Sequence, residues 1–240
     1  MNIVLFTRDE INRPLPFSDE RAHHIINILK FKPGDSFDAG VINTGTGKAF
    51  IEKIENSTVY YNFSFTDKII KKNPVSLITA VTRPSEAKKI LTNSATIGIN
   101  SLYLAVFDKT EKSYMESSLW KDENYLEYFT RGAAQAFAPD IPDLKLFTSL
   151  DDCLEVLPSD NTVKAALDNY EADESLSRLE YYNVLHTYLA VGGERGWSGR
   201  ERELLKNHGF KLYSIGSRVL KTETACIAGL SIILGKTGIF

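Results

Sequence analysis

Ile215-Gly216-Ser217-Arg218-Val219-Leu220-Lys221-Thr222-Glu223-Thr224-Ala225 is the stretch on which the reading of this chain turns. It gathers two cations, a carboxylate and three hydroxyls around a glycine, at the entrance to an otherwise apolar C-terminal run. The residues before it, Lys211–Ile215, read as a strand. Those after it, Thr222–Leu234, read as a helix ended by Gly235. Arg218 and Lys221 are then cations at a helix start, where the positive end of the helix dipole disfavours them. Glu223 or an anionic ligand has to offset that charge. Thr222 is equally readable as an ordinary N-cap.

A second loop of the same kind lies upstream, Val191-Gly192-Gly193-Glu194-Arg195-Gly196-Trp197. It follows a predicted strand, Leu185–Val191, and precedes a predicted helix, Ser198–His208. Ser198 and Glu201 form an S-x-x-E capping box for that helix, and Gly209 stops it. The glycines either make a tight turn or let backbone approach a ligand. Glu194 either serves the helix dipole or meets the same ligand. A dinucleotide fingerprint, G-x-G-x-x-G early in a βαβ unit, is absent, which disfavours a nicotinamide-dependent enzyme.

Further out the same rhythm continues. Val75–Val81, Ser101–Phe107 and Val163–Leu167 are predicted strands, and Asn124–Ala138 is a predicted helix. Ser85–Ile97 is also helical, with Ala87, Ile90, Leu91 and Ala95 on one face before Gly98. Strands alternating with helices imply a parallel sheet covered on both faces. Ligands of such sheets sit beyond the carboxyl ends of the strands. Both unusual loops fall there, so one site assembled from both is expected. The carboxylates between Asp168 and Glu180 read as a solvated connection.

Residues 1–72 follow a different pattern. Ile3–Phe6, Ser36–Val41, Ala49–Ile54 and Thr58–Phe65 are short strand candidates, with turns at Pro33-Gly34-Asp35 and Asn43-Thr44-Gly45-Thr46-Gly47. One helix, Asp19–Phe31, carries an apolar stripe at Ala22, Ile25, Ile26 and Leu29, with Ser18 as its N-cap. This is the signature of a small barrel-like module. Arg21, His23, His24 and Lys30 form a basic cluster able to meet phosphates. His23 and His24 are neighbours on a helix and point about 100° apart, so no metal site is expected there. Lys68–Pro74 reads as the linker to the second domain.

The composition fits a soluble α/β protein of 240 residues, 43% hydrophobic and 25% charged, with a net charge of −3. That charge argues against a generic polycation that coats nucleic acid. Cys153 and Cys226 have no CxxC partner, so neither a disulfide framework nor a zinc site is expected, and a cytoplasmic location fits. No apolar run approaches the roughly 20 residues of a membrane span.

Taken together, these residues resemble the RsmE family of bacterial 16S rRNA uracil-N3 methyltransferases, in the SPOUT class. The family's G-P-E-G-G loop is matched by Gly192-Gly193-Glu194-Arg195-Gly196, and its L-G-x-R-V-L-R-T-E-T-A segment by Ile215–Ala225. An N-terminal A-x-H-I-x-x-V-L-R pattern is echoed by Ala22–Lys30. The chain departs from the family at Gly193 (proline there), Arg195 (glycine) and Lys221 (arginine). It departs again in Ala134-Gln135-Ala136-Phe137-Ala138, which stands where the family has E-Q-S-G-R, and in Asn93–Gly98.

The resemblance implies an α/β fold with a small PUA-like β-barrel at residues 1–72 that binds RNA. It implies a parallel-sheet SPOUT methyltransferase domain at 73–240, with a C-terminal trefoil knot at about 185–235. It also implies S-adenosylmethionine as methyl donor and a homodimer acting on the small ribosomal subunit. Arg218, Lys221 and Glu223 become the expected catalytic residues. Val191, Gly192, Gly193, Glu194, Gly196, Ile215, Gly216, Val219, Leu220, Thr222 and Thr224 are the expected cofactor ligands, and Arg21, His23, His24 and Lys30 the RNA ligands. The departures leave a second reading, a noncatalytic RNA- or ribosome-binding homologue that keeps the fold.

Overall fold

The computed structural model describes residues 2–66, 72–181 and 184–240. The chain divides into two compact units, one containing residues up to 71 together with 130–141, the other residues 72–129 and 142–240. Residues 68–71 of the expected linker lie outside the described residues, while Asn73 and Pro74 open a strand.

In the first unit β1 (Val4–Phe6), β2 (Leu15–Pro16), β3 (Ser36–Val41), β4 (Gly45–Glu55) and β5 (Thr58–Phe65) form one curled sheet in the order β1-β3-β4-β5-β2. β1 runs parallel to β3, and the other pairs are antiparallel. Side chains along β4 alternate between buried and exposed, as a sheet with one wet face requires. The inner face carries Phe37, Ala49, Ile51, Val59 and Tyr61 onto Ala22 and Ile25 of the helix. β2 escapes a sequence reading because it is two residues long and ends in proline, which only an edge strand tolerates.

That helix, α1 (Glu20–His23), is capped by Asp19 rather than Ser18. The Asp19 carboxylate accepts the Arg21 N–H at 2.9 Å. It continues as a π-helical turn, His24–Ile28. The wider turn breaks the 3.6-residue register, so Ala22 and Ile25 are fully buried while Ile26 and Leu29 are only partly so. The expected turn at 43–47 is shorter, since β4 begins at Gly45. Asn43, at φ 54, accepts the Ile141 N–H on its side chain and donates its own N–H to the Pro139 carbonyl. These bonds tie residues 130–141 into the first unit, a long-range pairing that no local period announces.

The second unit contains β6 (Asn73–Ala80), α2 (Pro84–Ile97), β7 (Ile99–Ala105), α3 (Tyr125–Gln135), β8 (Asp143–Phe147), α4 (Leu150–Glu155), β9 (Thr162–Leu167), β10 (Glu174–Ser175), β11 (His186–Val191), α5 (Gly199–Asn207), β12 (Lys211–Ser214) and α6 (Thr222–Thr237). From Thr130 onward α3 counts with the first unit. The seven strands make an all-parallel sheet in the order β10-β12-β9-β11-β6-β7-β8. Its middle strands are buried almost continuously, Val75–Ala80 on β6 and Thr187–Val191 on β11, the pattern of a sheet covered on both faces. β8, α4 and β10 were not anticipated.

Each of the last two strands inserts between strands laid down earlier: β11 between β9 and β6, and β12 between β10 and β9. α6 then packs on α2, β11 and β6. At Gly229 its backbone comes so close to the sheet that a Cβ would lie 2.8 Å from Leu189 Cδ2. α6 runs through Gly235, the expected stop, to Thr237. The left-handed C-cap is Gly238 at φ 73, because glycine inside a helix is only costly whereas the cap needs a positive φ.

Candidate functional site: a cleft at the carboxyl ends of four strands

The segments that leave β6, β9, β11 and β12 converge on a cleft of ≈ 480 Å³ in the second unit. A volume of this size suits a single small-molecule ligand. Both unusual loops line it, as the sheet topology requires.

The loop after β11 is fixed from several sides. Trp197 is 2% exposed, donates its indole N–H to the Leu167 carbonyl at 2.8 Å, and stacks on Phe107. Lys109 donates to the carbonyls of Trp197 (2.8 Å) and Arg195 (3.2 Å). The capping box is complete. Ser198 accepts the Glu201 N–H, and the fully buried Glu201 carboxylate accepts the N–H groups of Ser198 and Asp108. Gly196 turns at φ 63 and donates its N–H to the Gly193 carbonyl. A Cβ on Gly193 would lie 2.8 Å from the Ala80 Cβ, so this position has no room for a side chain. Glu194 does not cap the helix. It takes a two-pronged hydrogen bond from Arg83, 3.1 Å on each prong, across to the start of α2.

The loop after β12 is built differently. Gly216 turns at φ 123, and Arg218 and Val219 project into solvent, Val219 at 77% exposure. Lys221, not Thr222, is the N-cap of α6, and it offers no side-chain acceptor; Thr222 is buried as the first helical residue. Arg218 and Lys221 make no ion pair with any described residue. Glu223, expected to orient one of them, reaches Lys89 at 3.4 Å instead. Lys89 also holds Glu86 at 3.0 Å. Hydrogen bonds from Lys89 and then Glu223 lower the Glu86 pKa against desolvation, with a smaller contribution from the Lys221 charge.

The segment after β9 corrects the expectation of a solvated connection. Asp168 is 5% exposed and accepts the N–H groups of Tyr170 (2.7 Å) and Glu171 (2.6 Å) and the Arg202 Nε–H (2.8 Å). Burial alone would raise its pKa. The Glu171 and Tyr170 N–H groups and Arg202 outweigh that and hold it below 3.8. Tyr170 itself is 81% exposed at the cleft. Sequence reasoning missed Arg83, Glu86, Asp168, Tyr170 and Arg202, although each follows a predicted strand or lies in the helix after one. The carboxyl-end rule, applied to every strand and not only to the two glycine loops, would have found most of them.

Of the expected ligands, Val191, Gly192, Gly193, Glu194, Gly196, Ile215, Val219, Leu220 and Thr222 line the cleft with Arg218, Lys221 and Glu223. Gly216 and Thr224 do not. In the first unit, His23 and His24 border an open groove with Phe17 and Ile28. Arg21 is committed elsewhere: it is ion-paired with Glu10 (3.0 Å) and Asp19 (2.7 Å) and donates to the Leu5 carbonyl, so it is not free to take a phosphate. Burial pushes the thiols of Cys153 and Cys226 up to about 12, which leaves neither a ready nucleophile.

A family model described as an RNA methyltransferase domain matches residues 70–234, and one described as an RNA methyltransferase PUA domain matches residues 17–60. Ribosomal RNA small subunit methyltransferase E of Treponema pallidum is 31% identical over 98% of this chain and 91% of its own length. The chain belongs to this RNA methyltransferase family. A second relative, Ribosomal RNA small subunit methyltransferase E 1 of Borreliella burgdorferi, is 28% identical over 98% of both chains. The fold is shared with the Neisseria gonorrhoeae methyltransferase E crystallised with S-adenosylmethionine (TM-score 0.78, 17% identity, 97% of both chains). It is shared equally with a probable rRNA methyltransferase from Porphyromonas gingivalis (TM-score 0.80, 19% identity, 99% of both chains). Both relatives are named as methyltransferases, which favours the catalytic reading over a noncatalytic binding homologue.

Proposed function

We propose that this RNA methyltransferase transfers a methyl group from S-adenosylmethionine to N3 of a uridine in small-subunit (16S) ribosomal RNA. The observation that carries the reading is the cleft itself: two glycine-bearing loops at parallel-strand carboxyl ends, with the unpaired cation Arg218 on its wall. The donor fits the residues present. Its sulfonium and ammonium charges suit a rim holding Glu86, Glu194 and Glu223, and its carboxylate suits Arg83 or Lys221. Gly193, where even a methyl group would collide with Ala80, keeps bare backbone at the wall.

When bound, the donor supplies an electrophilic methyl group, so the protein's work is positioning and charge stabilisation. Uracil N3 is a poor nucleophile until its imide proton leaves to bulk water. Arg218, beside the developing anion, lowers the cost of that loss, and the more water the closed complex excludes, the larger the effect. Lys221 adds a second positive charge. Glu223 acts through Lys89 and Glu86 in keeping the entrance of α6 in place. The base must leave its stack to reach the cleft.

The remaining features belong to the same proposal. Residues 1–72 grip RNA, with His23, His24 and Lys30 as phosphate or base contacts. The chain forms a trefoil knot over about 185–235, which the insertion of β11 and β12 between earlier strands supports. It acts as a homodimer, for which the exposed Val219 is a candidate contact. It works in the cytoplasm; among the described residues no helix is long and apolar enough to cross a membrane. Incubation with labelled S-adenosylmethionine and unmethylated small-subunit RNA, followed by nucleoside analysis, should yield 3-methyluridine. Label on another nucleoside, or none, overturns the assignment.

A further inference from the structure

Among the described residues, the most exposed large aromatic side chain stands at the cleft. Tyr170 is 81% exposed, more than any other large apolar or aromatic residue described. It lines the same cleft as Arg218 and Glu194. Nothing in the proposed chemistry so far uses it.

Its surroundings are not those of a loose surface tyrosine. The backbone N–H of Tyr170 and that of the next residue both bind one oxygen of Asp168, at 2.7 and 2.6 Å. The other oxygen of Asp168 holds Arg202 at 2.8 Å, with the two side chains only 2% and 11% exposed. Arg202 in turn places its guanidinium carbon 5.4 Å from the centre of the Tyr170 ring. A buried ion pair therefore fixes the backbone of the tyrosine and supports one side of its ring, while most of the ring is left to solvent. Holding a bare aromatic face to water has no folding benefit, since the ring would gain more by packing inward.

We propose that Tyr170 is the stacking shelf for the unpaired target base, and that Arg202 and Asp168 are positioning residues acting through it. An enzyme that modifies a base edge must take the base out of its stack and give it a flat apolar surface in exchange. Proteins that bind unstacked bases do this with tyrosine, phenylalanine or tryptophan rings. A guanidinium behind the ring adds a cation–π contact that stiffens the shelf. The exposed Arg195 on the same cleft is a cation able to receive a flanking phosphate. That favours RNA over a second protein chain as the occupant.

This inference rests on the methyl-transfer reading, and its test separates the two. Tyr170→Ala, Tyr170→Phe and wild-type protein are compared in steady-state methylation of small-subunit RNA. Calorimetric titration with S-adenosylmethionine alone and sedimentation of each protein complete the set. If wild type transfers no methyl group, the underlying reading falls before this one is reached. With wild type active, Tyr170→Ala should lower kcat/KM for RNA on the order of 10- to 100-fold, the range of one lost base–aromatic stack. Tyr170→Phe should stay within about threefold of wild type, because a phenylalanine ring stacks as well. Cofactor affinity and sedimentation should be unchanged in both. Unchanged kinetics in Tyr170→Ala overturns the shelf. Weaker cofactor binding reassigns the ring to the donor, and a shift in sedimentation reassigns it to a subunit contact; either result overturns the proposal.

Discussion

The loops after β11 and β12 occupy equivalent places, each leaving a parallel strand and entering a helix at the same cleft, yet they are built by opposite means. The first is held by a buried tryptophan, two lysine hydrogen bonds, a complete capping box and an ion pair to Arg83. Between Ile215 and Leu220 the second has no side-chain hydrogen bond or ion pair to any described residue, and most of its side chains are exposed. The first loop is shaped by folding alone. The charges of the second find no partner among the described residues and are left open to an anionic ligand. A rigid wall and an unsatisfied cation are the two components that preorganised charge stabilisation needs.

The largest expected effect comes from dismantling the rigid wall. Trp197→Ala removes a buried indole, its hydrogen bond to Leu167 and its stack on Phe107. Loss of an aromatic core side chain of this kind costs about 3–5 kcal/mol. Chemical denaturation should show an unfolding free energy lowered by that much, with S-adenosylmethionine binding lost together with it. A variant of near-native stability would mean that the loop is held by its other contacts and that the contrast drawn above is overstated.

Arg218→Ala attacks the other component and should leave folding alone. An exposed side chain without partners contributes within about 0.5 kcal/mol to stability. Its removal from beside a developing anion should nevertheless cost on the order of 10²–10³ in kcat. Single-turnover methylation and a denaturation curve on the same preparation check both halves. An equal loss of activity and stability would place Arg218 in the scaffold rather than in the chemistry.

How far the sequence revealed this contrast depended on the range of the interactions. The capping box at Ser198 and Glu201 was readable because it spans four residues, and the apolar face of α2 because it repeats every turn. The Gly209 stop was readable too, since only glycine takes its φ of 83 cheaply. What stayed hidden was held together over long separations. Arg83 meets Glu194 across 111 residues, Asp108 meets Glu201 across 93, and Trp197 meets Leu167 across 30. No local period encodes such pairs. The π-helical turn at His24–Ile28 and the proline-ended strand β2 failed for a second reason, since both break the periods used to find helices and strands.

The third loop supplies an intermediate case, in which a buried ion pair does for Tyr170 what Trp197 does for its own loop. Arg202→Met strips Asp168 of one of its three hydrogen bonds but leaves the two from the backbone. The cost at neutral pH should be about 2 kcal/mol, below the 3–5 typical when a buried charge loses its only partner. Asp168 is held below its ordinary value of 3.8 in the folded chain. Its ionised form therefore stabilises the fold above about pH 4, the unfolded value, and that contribution fades as pH falls through the lower folded value. Denaturation curves of wild type and Arg202→Met should accordingly lie apart at pH 7 and draw together toward pH 3. A gap that stays constant with pH would assign Arg202 a packing role only.

The smallest effect is expected at Arg195, the residue that most invites suspicion when its loop is set beside the G-P-E-G-G pattern. A bulky cation in place of glycine suggests a blocked cleft. The geometry argues otherwise, because Arg195 has no positive φ and its side chain is exposed, while its carbonyl is what Lys109 holds. The turn that needs glycine is made one residue later by Gly196, and the position that excludes a side chain is Gly193, against Ala80. Arg195→Gly should therefore change the affinity for S-adenosylmethionine by no more than about threefold and stability by at most about 0.5 kcal/mol. RNA affinity should fall modestly and more at low salt, the mark of one lost phosphate contact. A large gain in cofactor affinity in Arg195→Gly would show that the arginine does obstruct the cleft, and the rigid loop would then be a restraint on activity rather than its support.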